Sequence, residues 1–593
     1  MLRSRRRCLP SVLAMGAVLV TALAACSTGP QVTAGERPNR PTSVVEPSFD
    51  PQTDPAKLAV PLESLPGYRP RTPGTDGWSS LPMTGTDGDV SWRIWNRENQ
   101  VQRKYTPDQT VAFGTAQTYT QVRGVLTFRG NNFRDAPAYG TADVTEKKLS
   151  IVWTQDIGEA RGDGSYWPGA GWTGQPLLVN WPEQTRKAMG FAPEFADKDL
   201  TEVIYPVFEG KVYRLDLETG EQTKPSIQVG CGFKGTGSID PRGYPLLYAG
   251  QGLNDMDDNK DTEDCPFRYR IFDLIQNKEI SGWTGQDDPA RPRKSWGAFD
   301  SSALVNAATD TLIEPAENGL VYKAKLNTTF DPGAKTVSVD PVLTKLEYKT
   351  PASDVHGIES SSAAYRNLMY ASDNDGNLIC WDATTMRIVW TRDVGDDSDA
   401  SIVIEDTPDG PYLYHGNTLD KRGKSGGPME TNLRKINALT GDIVWEKAIP
   451  TVASYPNNGG LLATPALGRG DTSDLVIFNI SKTADPPLCV FGKCLGDFSG
   501  DLVALDRTTG TLAWSRHLDR YSWSSPVIFQ GKDDHSYGVF GDAGGLLHLF
   551  DPNTGQDYST VSLGNNIEAS PAIYNNMLVV ASYDKKIFGV RIS

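Results

Sequence analysis

The stretch LVALDRTTGTLAW, residues 502–514, decides the fold of this chain. The alternation of apolar residues in its first half predicts a half-buried β-strand. The Asp-x-x-Thr-Gly that follows predicts a turn, because glycine accepts a positive φ and the Asp and Thr side chains bond nearby backbone groups. Trp514 comes four residues after Gly510 and belongs to the next strand. The stretch therefore predicts a β-hairpin.

The same plan recurs along the chain, in VYRLDLETGE (212–221), LICWDATTMRIVW (378–390), LRKINALTGDIVW (433–445) and LHLFDPNTGQ (547–556). Two more short apolar segments precede each hairpin, such as SSPVIF (524–529) and YGVFGDAGG (537–545) before the last of them. Each unit thus has four strands, and the units repeat roughly every 40–65 residues. This pattern is typical of β-propeller blades.

The segments with the pattern of an innermost strand begin near Gln175, Tyr244, Ser302, Ser362, Ile402, Thr464, Ser525 and Ser570. They predict an all-β fold over 149–593, an eight-bladed β-propeller of four-stranded antiparallel blades. The last unit ends at Ser593 after its third strand, while LSIVWTQDIG (149–158) has no strands in front of it. We expect Ile151 and Trp153 to pair with the last unit, since this closes the ring and removes an open sheet edge.

The N-terminus has the pattern of a bacterial lipoprotein signal. Four arginines precede a short apolar stretch, and Leu-Ala-Ala-Cys ends at Cys26. We expect a signal peptide at 1–25, a diacylglycerol on Cys26 and attachment to the extracytoplasmic face of the cell membrane. Residues 26–75 are rich in Pro, Thr, Ser, Gly and Asp and predict a disordered tether. Residues 76–148 predict an extension packed on the propeller.

The charge of the chain limits its partners. It carries 73 Asp and Glu against 58 Lys and Arg, a formal net charge of −15. Nucleic-acid binding needs a basic surface and is therefore not expected. An acidic protein also repels anionic headgroups, so we expect only the lipid anchor to hold it at the membrane.

The cysteines fit an oxidising compartment. Cys489 and Cys494 bound the short loop CVFGKC and are expected to form a disulfide, and Cys231 and Cys265 are a second expected pair. Cys380 lies in the apolar stretch LICWD and is expected to be a buried free thiol. The spacing of cysteines and histidines does not match a structural zinc site.

These repeats resemble the PQQ-like β-propeller family. The resemblance rests on the tryptophan-docking pattern, which implies that the Thr-Gly turn of one blade packs against a tryptophan of a neighbour. It also rests on FRGNNFRDAPAYG (128–140), which is similar to the FRG-x-x-R opening of many members. The matching tryptophans are Trp153, Trp390, Trp445 and Trp514.

The resemblance implies two kinds of function. Quinoprotein dehydrogenases of the family hold pyrroloquinoline quinone (PQQ) and calcium on the propeller axis. Non-catalytic relatives include the propeller lipoprotein of the outer-membrane β-barrel assembly machine. The expected lipid anchor and the absence of an adjacent Cys-Cys pair favour a non-catalytic binding or scaffolding module for an envelope protein or polysaccharide, with no cofactor. A dehydrogenase that uses PQQ and calcium is the alternative.

Loops that lead into the inner strands carry the candidate binding residues Trp172, Asp300, Glu359, Trp523 and Glu568. Asp300, Glu359 and Glu568 come two or three residues before strand starts, so we expect them to meet at one end of the axis. Three carboxylates there can bind a cation or a basic segment of a partner. The alternative is that they bond neighbouring loop amides and order the turns.

The acidic segment LNDMDDNKDTEDCP (253–266) is a weaker metal candidate. Asp255, Asp257, Asn259 and Asp261 alternate as in a calcium loop, but Lys260 replaces the glycine expected at the sixth position. Pro266 stands where a calcium loop has a glutamate at the twelfth position, so a solvated acidic loop is the preferred interpretation. Nucleophile, zinc-protease and phosphate-loop motifs are absent from the sequence. His356 is a single loop histidine with no partner pattern.

Overall fold

The repeated apolar segments form the blades of an all-β β-propeller, and the blades are antiparallel sheets. The computed structural model describes residues 54–162, 165–171, 174–254, 265–352, 357–420, 427–453, 459–482, 489–490, 493–494 and 499–593. Within these residues, helices cover Pro55–Leu58, Glu183–Met189 and Pro193–Ala196. None of the described helices is long and apolar enough to cross a bilayer.

In the first half of the chain, each blade begins with its inner strand and ends with its outer strand. The strands, from inner to outer, are Leu177–Asn180, Thr201–Pro206, Lys211–Asp216 and Ile227–Gln228; then Ser238–Ile239, Leu246–Gly250, Arg268–Asp273 and Lys278–Thr284; then Leu304–Asn306, Thr311–Pro315, Leu320–Lys325 and Val342–Lys349; then Ala363–Tyr365, Leu368–Ser372, Asn377–Asp382 and Ile388–Asp393.

The second half continues the same order. Its strands are Val403–Thr407, Gly410–Gly416, Gly427–Asn437 and Ile443–Ala453; then Ala466–Leu467, Leu475–Ser481, Gly500–Asp506 and Leu512–Leu518; then Val527–Gly531, Ser536–Gly541, Leu546–Phe550 and Asp557–Ser562; then Ala572–Tyr574, Met577–Ser582 and Lys586–Ile592. Separate hairpins join Glu159–Gly162 to Ser165–Pro168, Thr329–Asp331 to Thr336–Ser338 and Cys489–Val490 to Lys493–Cys494.

The strand Leu149–Asp156 lies against the last strand of the chain. It pairs antiparallel with Lys586–Ile592, with Ile151 opposite Val590 and Trp153 opposite Gly589. The expected pairing of Ile151 and Trp153 with the last unit is therefore present.

Tryptophans dock on turn glycines as the resemblance implies. A Cβ on Gly220 would come within 2.6 Å of the Trp153 ring, and one on Gly510 within 2.7 Å of the Trp445 ring. Each indole N–H donates to a carbonyl of the turn that it covers, Trp153 to Leu217 at 2.8 Å for example. The same arrangement joins Trp390 to the turn of Gly441, Trp445 to that of Gly510 and Trp514 to that of Gly555. The docking pattern is confirmed.

This packing predicts that Gly441→Ala destabilises the protein more than Gly190→Ala. Both glycines have positive φ, 74° and 63°, so an alanine costs about 1–2 kcal/mol of conformational strain at either position. Only at Gly441 would the new Cβ meet a ring, since Trp390 would lie 2.7 Å away, while nothing lies within 4 Å at Gly190. We expect a further loss of about 1–3 kcal/mol at Gly441. Equal losses in denaturant unfolding would contradict the docking role.

A segment that we call the inner strap, residues 123–142, runs along the inner edges of the blades. It pairs with the inner strands at both of its ends: Arg123–Val125 with Leu177–Asn180, Ala138–Tyr139 with Ala572–Tyr574 and Thr141–Ala142 with Val527–Gly531. Between these strands its carbonyls accept from amides of other inner strands, from Ile239 at 2.7 Å and from Ala364 at 2.7 Å. The strap therefore occupies space enclosed by the inner strands.

Two arginines of the FRGNNFR stretch, residues 128–134, anchor the strap. Arg134 is fully buried and donates to the carbonyls of Ser302 at 2.6 Å and Ser362 at 2.8 Å. Arg129 is 1% exposed and donates to the carbonyl of Pro526 at 3.0 Å. Burial lowers the pKa of Arg134 to about 10 and that of Arg129 to about 9. The motif thus links inner strands of separate blades through main-chain acceptors.

Two boundaries drawn from the sequence are wrong. The inner strand of the second blade is Ser238–Ile239, not the segment near Tyr244, because the more apolar Leu246–Gly250 is the second strand. Residues 54–75 were assigned to the tether by composition, yet Leu65 is buried in a core cluster and Val60 N–H donates to Asn367 Oδ1 at 2.7 Å. Strands Ser79–Pro82 and Asp89–Trp95 then extend the sheet of Val342–Lys349.

The structure describes the side chains of only one of the two expected disulfide pairs. Cys231 and Cys265 form a disulfide, and Cys380 is a buried free thiol. The backbones of Cys489 and Cys494 are paired across a hairpin, but their side chains lie outside the described part of the structure. Cys26 and the segment 1–53 also lie outside it.

Candidate functional site

Hydroxyl groups link the starts of the inner strands. The amide of one start donates to the hydroxyl of the next, as Ser361 N–H does to Ser401 Oγ at 2.9 Å. The same bond joins Gln175 to Thr236, Ser302 to Ser361, Ser401 to Thr464, Thr464 to Ser525 and Ser525 to Ser570, at 2.7–3.1 Å. Ser570 N–H donates to the carbonyl of Gly174 at 3.0 Å, which leads back to the first blade. We call these linked positions the hydroxyl belt.

The residue two positions before each member of the belt occupies an equivalent place in its blade, and we call these residues the axial set. Its described members are Lys234, Asp300, Glu359, Asp399, Leu462, Trp523 and Glu568. Four of the five candidates from the sequence belong to it. Trp172, the fifth, lies outside the described residues.

Lys234 lies at the centre of the charged part of the axial set. Its ammonium group forms an ion pair with Asp300 and another with Glu359, the latter at 3.2 Å. The Lys234 side chain is only 11% exposed, and Asp300 is fully buried. Asp300 and Glu359 therefore do meet, as the sequence predicts, but through a lysine that the sequence analysis did not identify.

Glu317 adds a third carboxylate from outside the axial set. Carboxylate oxygens of Asp300, Glu317 and Glu359 all lie within 4.8 Å of one another. Glu317 comes from the turn before strand Leu320–Lys325 and is 3.5 Å from Arg293. Asn374 Nδ2 donates to Glu359 Oε1 at 2.9 Å. Hard oxygen donors so close together can hold a divalent cation, and here they surround an ammonium group.

The pKa shifts follow from burial and from this crowding of charge. Burial and the charges of Glu359 and Asp300 raise the pKa of Glu317 well above its usual value. Burial also raises the pKa of Asp300, and Lys234 only partly offsets this. Burial alone would lower the pKa of Lys234, but the carboxylates of Asp300, Glu359 and Glu317 raise it well above normal. The lysine therefore stays charged and acts as the counter-ion of the cluster.

Asp399 and Asp397 extend the negative region beyond the cluster. Burial raises the pKa of both well above the usual value, and Glu359 adds to the effect at each. A group of acids with raised pKa values is a common property of functional sites, although ion-pair networks show it too. Burial alone would raise the pKa of Glu359, but the charge of Lys234 and the hydrogen bonds of the Glu359 carboxylate lower it. The site thus combines a charged lysine and an ionised Glu359 with neighbouring carboxyl groups whose raised pKa values oppose ionisation.

Glu568 is a further member of the axial set and has its own hydrogen-bond partners. Tyr583 Oη donates to one carboxylate oxygen at 2.6 Å, and Asn566 Nδ2 donates to the other at 2.9 Å. Burial raises the pKa of Glu568 to about 7. Its ordered hydrogen bonds match the alternative expectation, in which an axial acid orders its loop.

The raised pKa predicts a pH-dependent effect of Glu568→Gln. A carboxyl group with a raised folded-state pKa favours folding at low pH, and this contribution is lost as pH rises through about 7. We expect equal stability of variant and wild type at pH 5, and a variant that is more stable by about 1–3 kcal/mol at pH 8. Urea unfolding at both pH values measures the difference, with exposed Glu98→Gln as the control. A difference that does not change with pH would contradict it.

The remaining candidates contribute less. Trp523 is half-buried and packs beside Tyr521, with ring centroids 5.5 Å apart. His356 and the calcium-loop candidates Asp255, Asp257, Asn259 and Asp261 lie outside the described residues, and their roles stay predictions.

Two sequence comparisons find a similarity between this chain and the outer membrane protein assembly factor BamB. A family model described as outer membrane protein assembly factor BamB matches residues 499–592. The assembly factor BamB of Kangiella koreensis is 26% identical over 184 residues, which are 31% of this chain and 35% of that protein. The chain thus matches about a third of the length of this curated relative.

Two solved structures match the chain at low sequence identity. BamB from Moraxella catarrhalis is 18% identical, with a TM-score of 0.45, and the match covers 75% of this chain and all of the other. Quinohemoprotein alcohol dehydrogenase ADHIIG from Pseudomonas putida HK5 is 11% identical, with a TM-score of 0.48, covering 79% of this chain and 80% of the other. Together with the repeats and the tryptophan docking, the sequence matches support the resemblance of the chain to PQQ-like β-propellers and to BamB.

Proposed function

We propose that this protein is a non-catalytic binding or scaffolding propeller of the cell envelope, anchored by a lipid on Cys26, whose partner is a protein. The observation that carries the proposal is the ion pairing of Lys234 with Asp300 and Glu359. It supplies the central carboxylates with a counter-ion from the chain itself. The similarity to an assembly factor rather than to an enzyme in the sequence comparisons supports the same conclusion.

We further propose that the propeller has eight blades and that strand Leu149–Asp156 closes its ring. Three separate contacts support this closure. The strand pairs with Lys586–Ile592, Trp153 docks on Gly220 of the first blade, and Ser570 N–H donates to Gly174. Closure of the ring by this strand would cover the free edge of Lys586–Ile592, which suits a rigid platform for binding.

The alternative, a dehydrogenase with PQQ and calcium, meets a specific obstacle at the axial set. Asp300, Glu317 and Glu359 provide oxygen donors that fit calcium. However, the ammonium group of Lys234 already pairs with two of these three side chains, so a divalent cation would have to displace it. The residues present therefore do not fit a resident calcium ion, and the sequence also lacks an adjacent pair of cysteines.

The proposal is tested by affinity capture from solubilised envelopes with the full-length purified chain. We expect saturable, stoichiometric capture of a defined protein that does not need added quinone or calcium. Cross-linking with mass spectrometry should place the contacts on propeller loops. Capture that appears only after PQQ and calcium are added would overturn the proposal, and so would a complete absence of saturable partners.

A further inference from the structure

A cleft outside the axial set lies between the N-terminal extension and the blade of residues 363–393. Its volume is about 470 Å³, within the range of sites that bind small ligands or short peptide segments. One wall comes from Val60 and Leu62, another from strand Asp89–Trp95, and the floor includes the turn at 384–387. Nothing in the proposed function depends on this cleft.

The charge of the cleft is opposite to that of the chain. Arg71, Arg103, Lys104 and Arg387 line it, and none of them pairs with a carboxylate among the described residues. Arg103 and Lys104 are exposed and adjacent in sequence. The chain as a whole has a net charge of −15, whereas this cleft carries positive charges that no carboxylate in the described part of the chain neutralises. Its local positive charge favours an anionic ligand.

Two further charged groups of the cleft, Arg93 and Asp382, are already engaged. Arg93 forms an ion pair with Glu347 at 2.5 Å. The carboxylate of Asp382 accepts hydrogen bonds from Asn367 Nδ2 at 2.8 Å and from Thr385 N–H at 2.9 Å. Asp382 is therefore engaged with its own loop, and Glu63 is the other acid that lines the cleft.

Arg387 has donors to spare. Its guanidinium group donates to the carbonyl of Arg69 at 3.0 Å and packs over the ring of Tyr68. A planar guanidinium is suited to a carboxylate, which can accept two parallel hydrogen bonds.

The wall of the cleft is apolar and aromatic. Trp92 and Ile94 are nearly buried, with 2% and 8% of their surfaces exposed, and Tyr105 is half-buried beside them. Aromatic side chains next to arginines are typical of the parts of interfaces that contribute most to affinity. The ligand therefore needs an apolar group as well as a negative charge.

We propose that this cleft binds an acidic peptide segment that carries an aromatic or aliphatic side chain between its carboxylates. The proposal rests on the proposed function only in taking the partner to be a protein. The carboxylates would lie against Arg71, Arg103, Lys104 and Arg387, and the apolar side chain against the half-buried Leu62 and Tyr105. A surface of this kind gives binding that is fast and sensitive to salt.

Fluorescence anisotropy of labelled peptides on the full-length protein tests this. A peptide of alternating Glu and Phe should bind at least tenfold more tightly than a Lys and Phe peptide of the same length, and more weakly as salt is added. The double variant Arg103→Glu/Lys104→Glu should lose that binding by about tenfold or more. Its control is Lys278→Glu/Lys532→Glu, which makes the same change of charge on exposed lysines outside the cleft and should bind normally.

Three outcomes would overturn the proposal that this cleft binds an acidic peptide. They are equal binding of the two peptides, unchanged binding by the Arg103→Glu/Lys104→Glu variant, and equal binding of a polyphosphate or a Glu-only peptide that lacks the apolar group. Affinity capture separates this failure from a failure of the proposed function. If the charge-reversed variant still captures the envelope partner as wild type does, the cleft inference fails while the scaffold function stands.

Discussion

Replacing Lys234 with methionine is expected to lower the free energy of unfolding by about 3–5 kcal/mol at pH 7.5, because removal of one partner leaves buried charge uncompensated. Asp300 and Glu359 lose their shared counter-ion, and Glu317 lies within 4.8 Å of both. The loss should shrink at pH 5, where the carboxyl groups bind protons. Denaturant unfolding at both pH values measures it.

The effect of calcium on the stability of the same variant is a more specific test than the loss of stability itself. Methionine fills much of the lysine volume without its charge, so the oxygen donors of Asp300, Glu317 and Glu359 become available to a divalent cation. Millimolar calcium should raise the stability of Lys234→Met and leave wild type unchanged. Exposed Lys532→Met is the control for loss of one positive charge. A variant as stable as wild type at pH 7.5 would show that Lys234 is not the counter-ion.

Trp153→Ala is expected to cost about 3–5 kcal/mol, the usual loss for a buried tryptophan truncated to alanine. The ring is 8% exposed, covers Gly220, and donates to Leu217 at 2.8 Å. Its strand is also the outer partner of Lys586–Ile592. The variant should therefore weaken both the junction with the first blade and the last blade itself.

Hydrogen exchange locates that weakening. In Trp153→Ala, the amides of Lys586–Ile592 should exchange faster, because their partner strand loses its anchor. Trp514→Ala removes an equivalent docking contact at Gly555 and should leave those amides protected. Equal exchange at Lys586–Ile592 in both variants would argue against closure by strand Leu149–Asp156.

The repeated hairpins were predictable because a two-residue alternation and the Thr-Gly turn are local features. The second blade was not, since its inner strand is only Ser238–Ile239, inside a glycine-rich stretch, and the apolar YPLLYAG drew the prediction onto the second strand. That shift of one strand hid Lys234, which lies two residues before the belt position Thr236. Correct alignment of the belt would have found it.

Other parts of the site depend on contacts that no local pattern carries. Asp399 is two residues before Ser401 and could have been found by the same alignment. Glu317 lies in a turn between strands and joins Asp300 and Glu359 only through the three-dimensional arrangement. Residues 54–75 have the composition of a tether, and their order comes from packing of Leu65 against a blade.

Equilibrium dialysis of the purified full-length chain against PQQ and calcium tests the central claim most directly. With Lys234 already paired to two axial carboxylates, we expect no stoichiometric quinone, no saturable calcium binding at the axial set and no dye-linked alcohol oxidation. One bound quinone per chain, together with calcium-dependent oxidation of an alcohol, would contradict a non-catalytic scaffold.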